Sequence, residues 1–462
     1  MRLRYLLVLA MAAHLVVVLS IYFVGRSGVL PAVSQSGIVA FASDSRVYQL
    51  QTGELEATLR QEGIVTWLQT PSPPHVKLYS LSSTVLSPLF GQTMLSMEPL
   101  NLFYYLATLL LIFYLGRETY GEKEGLIAAG MFVILCPSYM LHTTQLLKDP
   151  LFVVLALILL LVSLRCLTRQ YSLVEGLVAG AAGGIVAGSL WLVKNSVWWL
   201  VLTIIVLGGI LSVARQVHGR SAIKGNLASI ALTLLIALST SYLVTPYWLP
   251  KEYWAPYKPK AQGLSPTAGE SVAATPAGGS VQTPAPQDAH AGARRGGLSS
   301  RVAGYLDYTR AQFIELYPDA GSNVDTQVRF KGAADVVLYI PRAMLIGLCA
   351  PFPGMWLHAG ENVGTAGRLL SGVETLLMCF VELLALQSLW HRRRQAPVWL
   401  LILIALIGVL ALGMVVVNVG ALYRQRYLFW ILFVIVGAGT VSRIHGWLRV
   451  RGALNLRRET AA

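Results

Sequence analysis

Ten stretches of this chain are each long and apolar enough to cross a hydrocarbon core about 30 Å thick. They fall near residues 5–24, 100–116, 125–141, 150–166, 174–193, 197–214, 226–247, 366–390, 397–418 and 427–442. A chain inside lipid has no water to satisfy its peptide groups, so runs of this kind are predicted to be helices. The expected fold class is an all-α polytopic membrane protein of about 10 transmembrane helices. Composition agrees: 55% of the 462 residues are hydrophobic, 13% are charged, and the mean hydropathy is +0.60.

A formal net charge of +14 invites a nucleic-acid reading. The basic residues do not gather on an amphipathic face or alternate with stacking aromatics, which excludes that class. They lie between apolar runs. The N-terminal MRLR, the connections GRETYGEKEG (116–125), RCLTRQ (165–170), ARQVHGRSAIK (214–224) and HRRRQ (391–395), and the tail from Arg443 together carry 17 Lys or Arg. Positive charge on short connections marks the cytoplasmic side. Both termini are therefore expected in the cytoplasm, with two long outward-facing segments, about 25–99 and 248–365, that include short interfacial helices. The first apolar run lacks a small-x-small cleavage site and reads as a retained signal anchor. Cys136, Cys166, Cys349 and Cys379 show no CxxC spacing, which argues against a disulfide framework or a zinc site.

The chain divides into an N-terminal transmembrane module (1–247, outer loop about 25–99), an outward segment (248–365), and C-terminal transmembrane helices with a basic tail (366–462). Residues 261–297, rich in Ala, Pro, Gly and Ser, are expected to form a disordered linker. The stretch 335–356 is apolar but carries Pro341 and Arg342 centrally. If it spanned, HRRRQ would be placed outside, so an interfacial or re-entrant helix is expected.

Ionisable groups at the edge of an apolar phase are costly and need a reason. Asp44, in FASDSRVYQL, reads either as a solvated loop carboxylate or as a general base that takes the proton of an attacking hydroxyl. Asp149 precedes Pro150 and suits a helix cap. His142, seven residues earlier, could share its face, which makes His142 and Asp149 weak candidates for a divalent metal site. Arg424 and Arg426, with Tyr423 beside them, read either as interfacial anchors or as phosphate contacts, and Lys194 is a further cation of the same side. Tyr48, four residues after Asp44 in the same stretch, is a further candidate site residue. Glu374 and Glu382 could pair with a cation or belong to a proton path. Walker A, GxGxxG, HExxH and GxSxG motifs are absent.

In chain order, Asp44, Phe90-Gly91, Gly116-Arg117, the alanine-rich helix from Ala128 to Pro137, and Asp149 resemble the N-terminal module of the polytopic GT-C glycosyltransferases. Within that class the likeness is to the dolichyl-phosphate-mannose-protein mannosyltransferases and bacterial aminoarabinose transferases. It covers about residues 5–215, and NVGALYRQRYLFWILF (418–433) resembles a late arginine-rich motif of related polysaccharide-assembly proteins. The resemblance implies a polyprenyl-phosphate sugar donor, inversion at the anomeric carbon and a lipid, glycan or protein acceptor. It implies a site on the outer face of a bacterial inner membrane, and a divalent metal in some members only. Asp44 would be the base, Asp149 a second acidic site residue, and Arg424 or Arg426 a donor-phosphate contact. A non-catalytic component of exopolysaccharide assembly or export, or a transporter using Glu374, Glu382 and Lys194, are the alternatives.

Overall fold

The computed structural model describes residues 2–27, 34–35, 38–39, 42, 44–218, 224–247, 298–316, 320–358 and 364–459. The linker expected at 261–297 lies outside the described residues. Apart from a two-stranded antiparallel hairpin, Ser34–Gln35 with Ile38–Val39, the described secondary structure is helical. Nine helices among the described residues are long and apolar enough to span a membrane, ten if one bent pair is counted as a span. They are α1 (Leu3–Ser27), α5 (Glu98–Thr119), α8 (Asp149–Thr168), α9 (Leu173–Val193), α10 (Trp198–His218), α11 (Lys224–Tyr247), α14 (Gly364–His391), α15 (Ala396–Val415) and α17 (Tyr427–Glu459). The bent pair is α6 (Glu122–Leu135) and α7 (Pro137–Thr143), turned by 78° at Cys136. The run predicted as one helix over 125–141 is thus broken. Pro137 cannot donate to the preceding turn, and it opens a new helix instead of continuing the old one.

Burial separates the core of the bundle from its rim. About three quarters of the apolar window of α17 is buried, two thirds of that of α8, and less than a fifth in α1 and α11. The inward stripe of α1 is Leu6, Ala10, His14 and Val18, spaced every four residues, as expected of a helix touching the bundle along one seam. Small residues bring α9 and α11 together: a Cβ on Gly176 would stand 2.0 Å from the Gly225 carbonyl oxygen, so these backbones meet with no room for a side chain.

The segment expected as the first outer loop folds as a helical layer: α2 (Asp44–Gln61), α3 (Gly63–Gln69) and α4 (Pro74–Phe90). Its tie is Glu56, 1% exposed, which accepts hydrogen bonds from Ser83 at 2.6 Å, Ser87 at 2.6 Å and Arg60 at 3.1 Å. Burial pushes this carboxyl up, but those three donors outweigh it and hold the group below its usual value.

The second segment expected to face outward supplies α12 (Leu298–Leu316) and α13 (Ala333–Cys349). The apolar stretch read at 335–356 is therefore a 17-residue helix followed by a short turn at Pro353–Met355. Ala343 of α13 lies against Gly413 and Gly347 against Val409, so α13 runs antiparallel to α15 beside its C-terminal half and ends there. α16 (Val419–Gln425), capped by the Asn418 side chain, then leads into α17.

Candidate active site

The site begins with the turn between α7 and α8. Three elements of the outer layer pin it. The Val39 N–H donates to Gln145 Oε1 at 3.0 Å, and Ser45, the second residue of α2, donates to the Leu146 carbonyl at 3.3 Å. The Tyr79 hydroxyl of α4 lies 3.2 Å from the Leu147 carbonyl and 2.9 Å from Asn101 Oδ1. These bonds dock the first turn of α2, which carries Asp44, onto the turn that presents Lys148 and Asp149. Pro150 then opens α8, leaving Asp149 at the helix N-terminus, where a carboxylate interacts well with the helix dipole.

Two ion pairs meet here. Asp44 Oδ2 holds Arg424 Nη1 at 3.2 Å and Nη2 at 3.3 Å, and Asp149 Oδ1 holds Lys194 Nζ at 3.0 Å. Lys194 comes from the break between α9 and α10 and also sits 5.1 Å from the Phe152 ring centre. The two pairs differ in access. The Asp44 side chain is 41% exposed and Asp149 18%, so Asp44 is the acid that an incoming group meets first. Lys148 stands within electrostatic reach of all four. Burial, with repulsion from Lys194 and Arg424, holds its ammonium below the ordinary lysine value against the pull of Asp149 and Asp44. Among the described residues the cluster therefore counts three cations against two carboxylates, a balance that suits an anion.

Tyr48, one turn after Asp44, packs edge-on against His75 with ring centres 4.6 Å apart. His75 is 2% exposed and neither ring nitrogen has a hydrogen-bond partner. Burial drives its imidazole down to about 3, with Lys148 adding to the fall and Asp149 opposing it.

A second polar network lies deeper. Glu374 accepts from the Ser138 N–H at 2.7 Å, from the Ser138 hydroxyl and from the Tyr423 hydroxyl, which ties the first turn of α7 to α14 and α16. The Ser138 hydroxyl is also 2.8 Å from Tyr427. His142 Nδ1 lies 2.7 Å from the Ser138 carbonyl and 3.0 Å from the Tyr427 hydroxyl, while its ring is within electrostatic range of Arg424 and Asp149. Arg426 is fully buried. Its guanidinium reaches the Leu348 carbonyl at 3.1 Å and Thr375 Oγ1 at 2.8 Å, and lies 4.1 Å from the Trp430 ring centre.

Of the residues singled out from sequence, Asp44, Asp149, Arg424 and Lys194 come together, with Tyr48 beside them and His142 between the two networks. Arg426 does not join them: it closes the C-terminal end of α13. Tyr423 belongs to the Glu374 network, and Glu374 takes hydroxyl and amide donors, not a cation. Sequence reasoning missed Lys148, although it adjoins Asp149, and His75, whose signal was its place in the first turn of a helix after SPP. Among the described residues no three His, Cys, Asp or Glu side chains surround a common point that could hold a metal. His142 Nδ1 is engaged by the Ser138 carbonyl and the Tyr427 hydroxyl, and Asp149 Oδ1 by Lys194.

No protein-family model and no curated protein matches the chain. Among solved structures, the chain is similar to the archaeal oligosaccharyltransferase AglB from Archaeoglobus fulgidus in complex with an inhibitory peptide and a dolichol-phosphate. That likeness has a TM-score of 0.41 at 13% identity and covers 84% of this chain and 44% of that one, so the chain spans less than half of its length. It is also similar to ArnT from Cupriavidus metallidurans bound to undecaprenyl phosphate, with a TM-score of 0.29 at 14% identity, covering 80% and 68% of the two chains. Both belong to the polytopic glycosyltransferase class that the sequence motifs resemble, and at these scores neither likeness bears on the chemistry of the site.

Proposed function

We propose that this chain is a membrane glycosyltransferase that moves a sugar from a polyprenyl-phosphate donor to an acceptor hydroxyl on the outer face of a bacterial inner membrane, in the assembly of a cell-surface glycan or polysaccharide. The observation that carries the reading is the exposed carboxylate of Asp44 set beside a cluster with a surplus of cations. The order of motifs along residues 5–215 supports it.

Lipid phosphate is already a tolerable leaving group. The protein has to hold its charge, orient the acceptor and accept one proton. In the proposed reaction the donor phosphate is met by Arg424, Lys148 and Lys194, with the guanidinium offering a two-pronged contact. Arg424 occupies only Oδ2 of Asp44, which leaves Oδ1 to the acceptor hydroxyl. Transfer of Arg424 from Asp44 to the phosphate on donor binding frees the second oxygen as well. The acceptor oxygen then attacks the anomeric carbon from the face opposite the phosphate, and its proton passes to Asp44. The bond from the anomeric carbon to the phosphate oxygen breaks with its electron pair on the departing lipid phosphate, and the configuration inverts. Asp149 keeps Lys194 in place.

Purified protein supplied with polyprenyl-phosphate sugars and lipid-linked acceptors should transfer sugar. Asp44→Asn should lose about 10²–10⁴-fold in kcat, the usual contribution of a general base. Arg424→Gln should raise KM for the lipid donor as well as lower kcat. Wild-type turnover that survives intact in Asp44→Asn removes Asp44 from this role.

A further inference from the structure

The end of the bundle opposite the charged cluster holds a cleft of about 670 Å³ between the last turns of α5, α8 and α10 and the start of α15. A second depression of about 430 Å³ adjoins it and shares Arg394 and Gln395. Arg215, His218 and Arg394 line the cleft, and none has a hydrogen-bond or ion-pair partner among the described residues. Glu118 is the one carboxylate in the lining. It is already committed, accepting from Arg169 at 2.8 and 3.0 Å and from Thr168 at 2.6 Å, with Arg165 at 3.8 Å.

These cations sit at the ends of membrane-spanning helices, the level of lipid headgroups. On the helices at these depressions, α10 exposes Ile210, Val213 and Val217, and α14 exposes Leu386 and Trp390, of which Trp390 lines the second depression. A concave cationic recess above an exposed apolar wall fits an amphiphile with a negative head. A soluble anion would make no use of the wall, and a scatter of basic side chains would need no recess.

We propose that this cleft is a binding site for an anionic phospholipid of the leaflet at that face, with the phosphodiester between Arg215, His218 and Arg394 and the acyl chains along α10 and α14. Basic recesses between membrane helices bind such headgroups through charge and hydrogen bonding together. The site is separate from the transfer chemistry and stands whether or not that reading holds.

The test uses the full-length protein in an uncharged detergent, with native mass spectrometry counting retained phosphatidylglycerol and phosphatidylcholine. Wild type should retain phosphatidylglycerol selectively. The double variant Arg215→Gln/Arg394→Gln should retain about 30-fold less, as expected for two arginines near an anionic headgroup. Arg443→Gln/Arg449→Gln removes the same charge from an exposed part of α17 and should stay close to wild type. Equal losses in both variants would reduce the effect to diffuse attraction and overturn the site, as would no loss in either. Displacement of phosphatidylglycerol by inorganic phosphate alone would make the ligand a soluble anion and overturn the lipid assignment. Independently of any variant, phosphatidylglycerol with a photoreactive acyl chain should label α10 and α14 in the wild-type protein, and labelling confined to other helices would refute the placement.

Discussion

Arg424 reaches out to Asp44 while Arg426 turns into the bundle, and the difference between them is helical phase. Residues two apart on a helical turn do not share a face, so a pair of arginines in YRQRY could not both serve one phosphate. The phase is set by Asn418, whose side chain caps α16 by accepting from the Ala421 N–H at 3.0 Å. His75 shows the other side of residue-scale reading, because its neutral ring is buried with both nitrogens unpaired. Such a group lowers stability in acid. The unfolded chain binds a proton near the ordinary value of 6.5 while the folded chain resists it down to about 3, so stability is lost as pH falls through that window. Between about pH 7 and pH 5 this amounts to about 2 kcal/mol. His75→Phe keeps an aromatic edge against Tyr48 and removes two unpaired polar atoms. It should leave stability at neutral pH unchanged or raised and flatten the acid limb of a thermal-melting profile taken in detergent. A profile parallel to wild type would show that another group sets the acid sensitivity.

At the scale of elements, the apolar runs were legible because hydropathy adds up along a contiguous segment, and most predicted spans lie within about two or three residues of a helix. What escaped depends on partners far away in sequence. The break at Pro137 is held by Glu374, 236 residues on, which receives the Ser138 N–H freed at the start of α7. Likewise the stretch around Pro341 and Arg342 could not reveal its neighbour. Its partner is α15, met through one glycine on each helix: a Cβ on Gly413 of α15 would lie 1.9 Å from the Ala343 carbonyl oxygen, and one on Gly347 of α13 would lie 2.2 Å from that of Val409. Because the obstacle is backbone, neither helix can yield by turning a side chain. Gly413→Ala should therefore force α13 and α15 apart and cost about 1–3 kcal/mol, read as a lower melting temperature. Gly354→Ala, with nothing within 4 Å of the added carbon, should not. Equal melting of the two variants would mean that α13 is not seated on α15.

At the scale of the whole molecule, the helices sort their charged ends into two zones. Asp44, Asp149, Lys194 and Arg424 follow or precede spans at one end. The other end gathers the α5–α6, α8–α9 and α14–α15 connections and the last turn of α10; Glu118 with Arg169 ties α5 to the α8–α9 connection, and Tyr120 with Ser388 ties the α5–α6 connection to α14. The bundle alone has no up or down. The excess of Lys and Arg on that second end is the ground for expecting it in the cytoplasm by the positive-inside bias, and the proposed function needs the candidate site outside. In a variant with the four native cysteines replaced, Leu50→Cys on α2 and Arg393→Cys at the α14–α15 connection occupy exposed positions at opposite ends. A membrane-impermeant maleimide added to intact cells, after the outer membrane has been made permeable where there is one, should label Leu50→Cys. Arg393→Cys should react only once the inner membrane is opened. The reverse pattern would turn the charged cluster towards the cytoplasm, where a donor could be a soluble nucleotide sugar. The proposed use of Arg424, Lys148 and Lys194 on a lipid phosphate delivered at the outer surface would then fail along with the orientation.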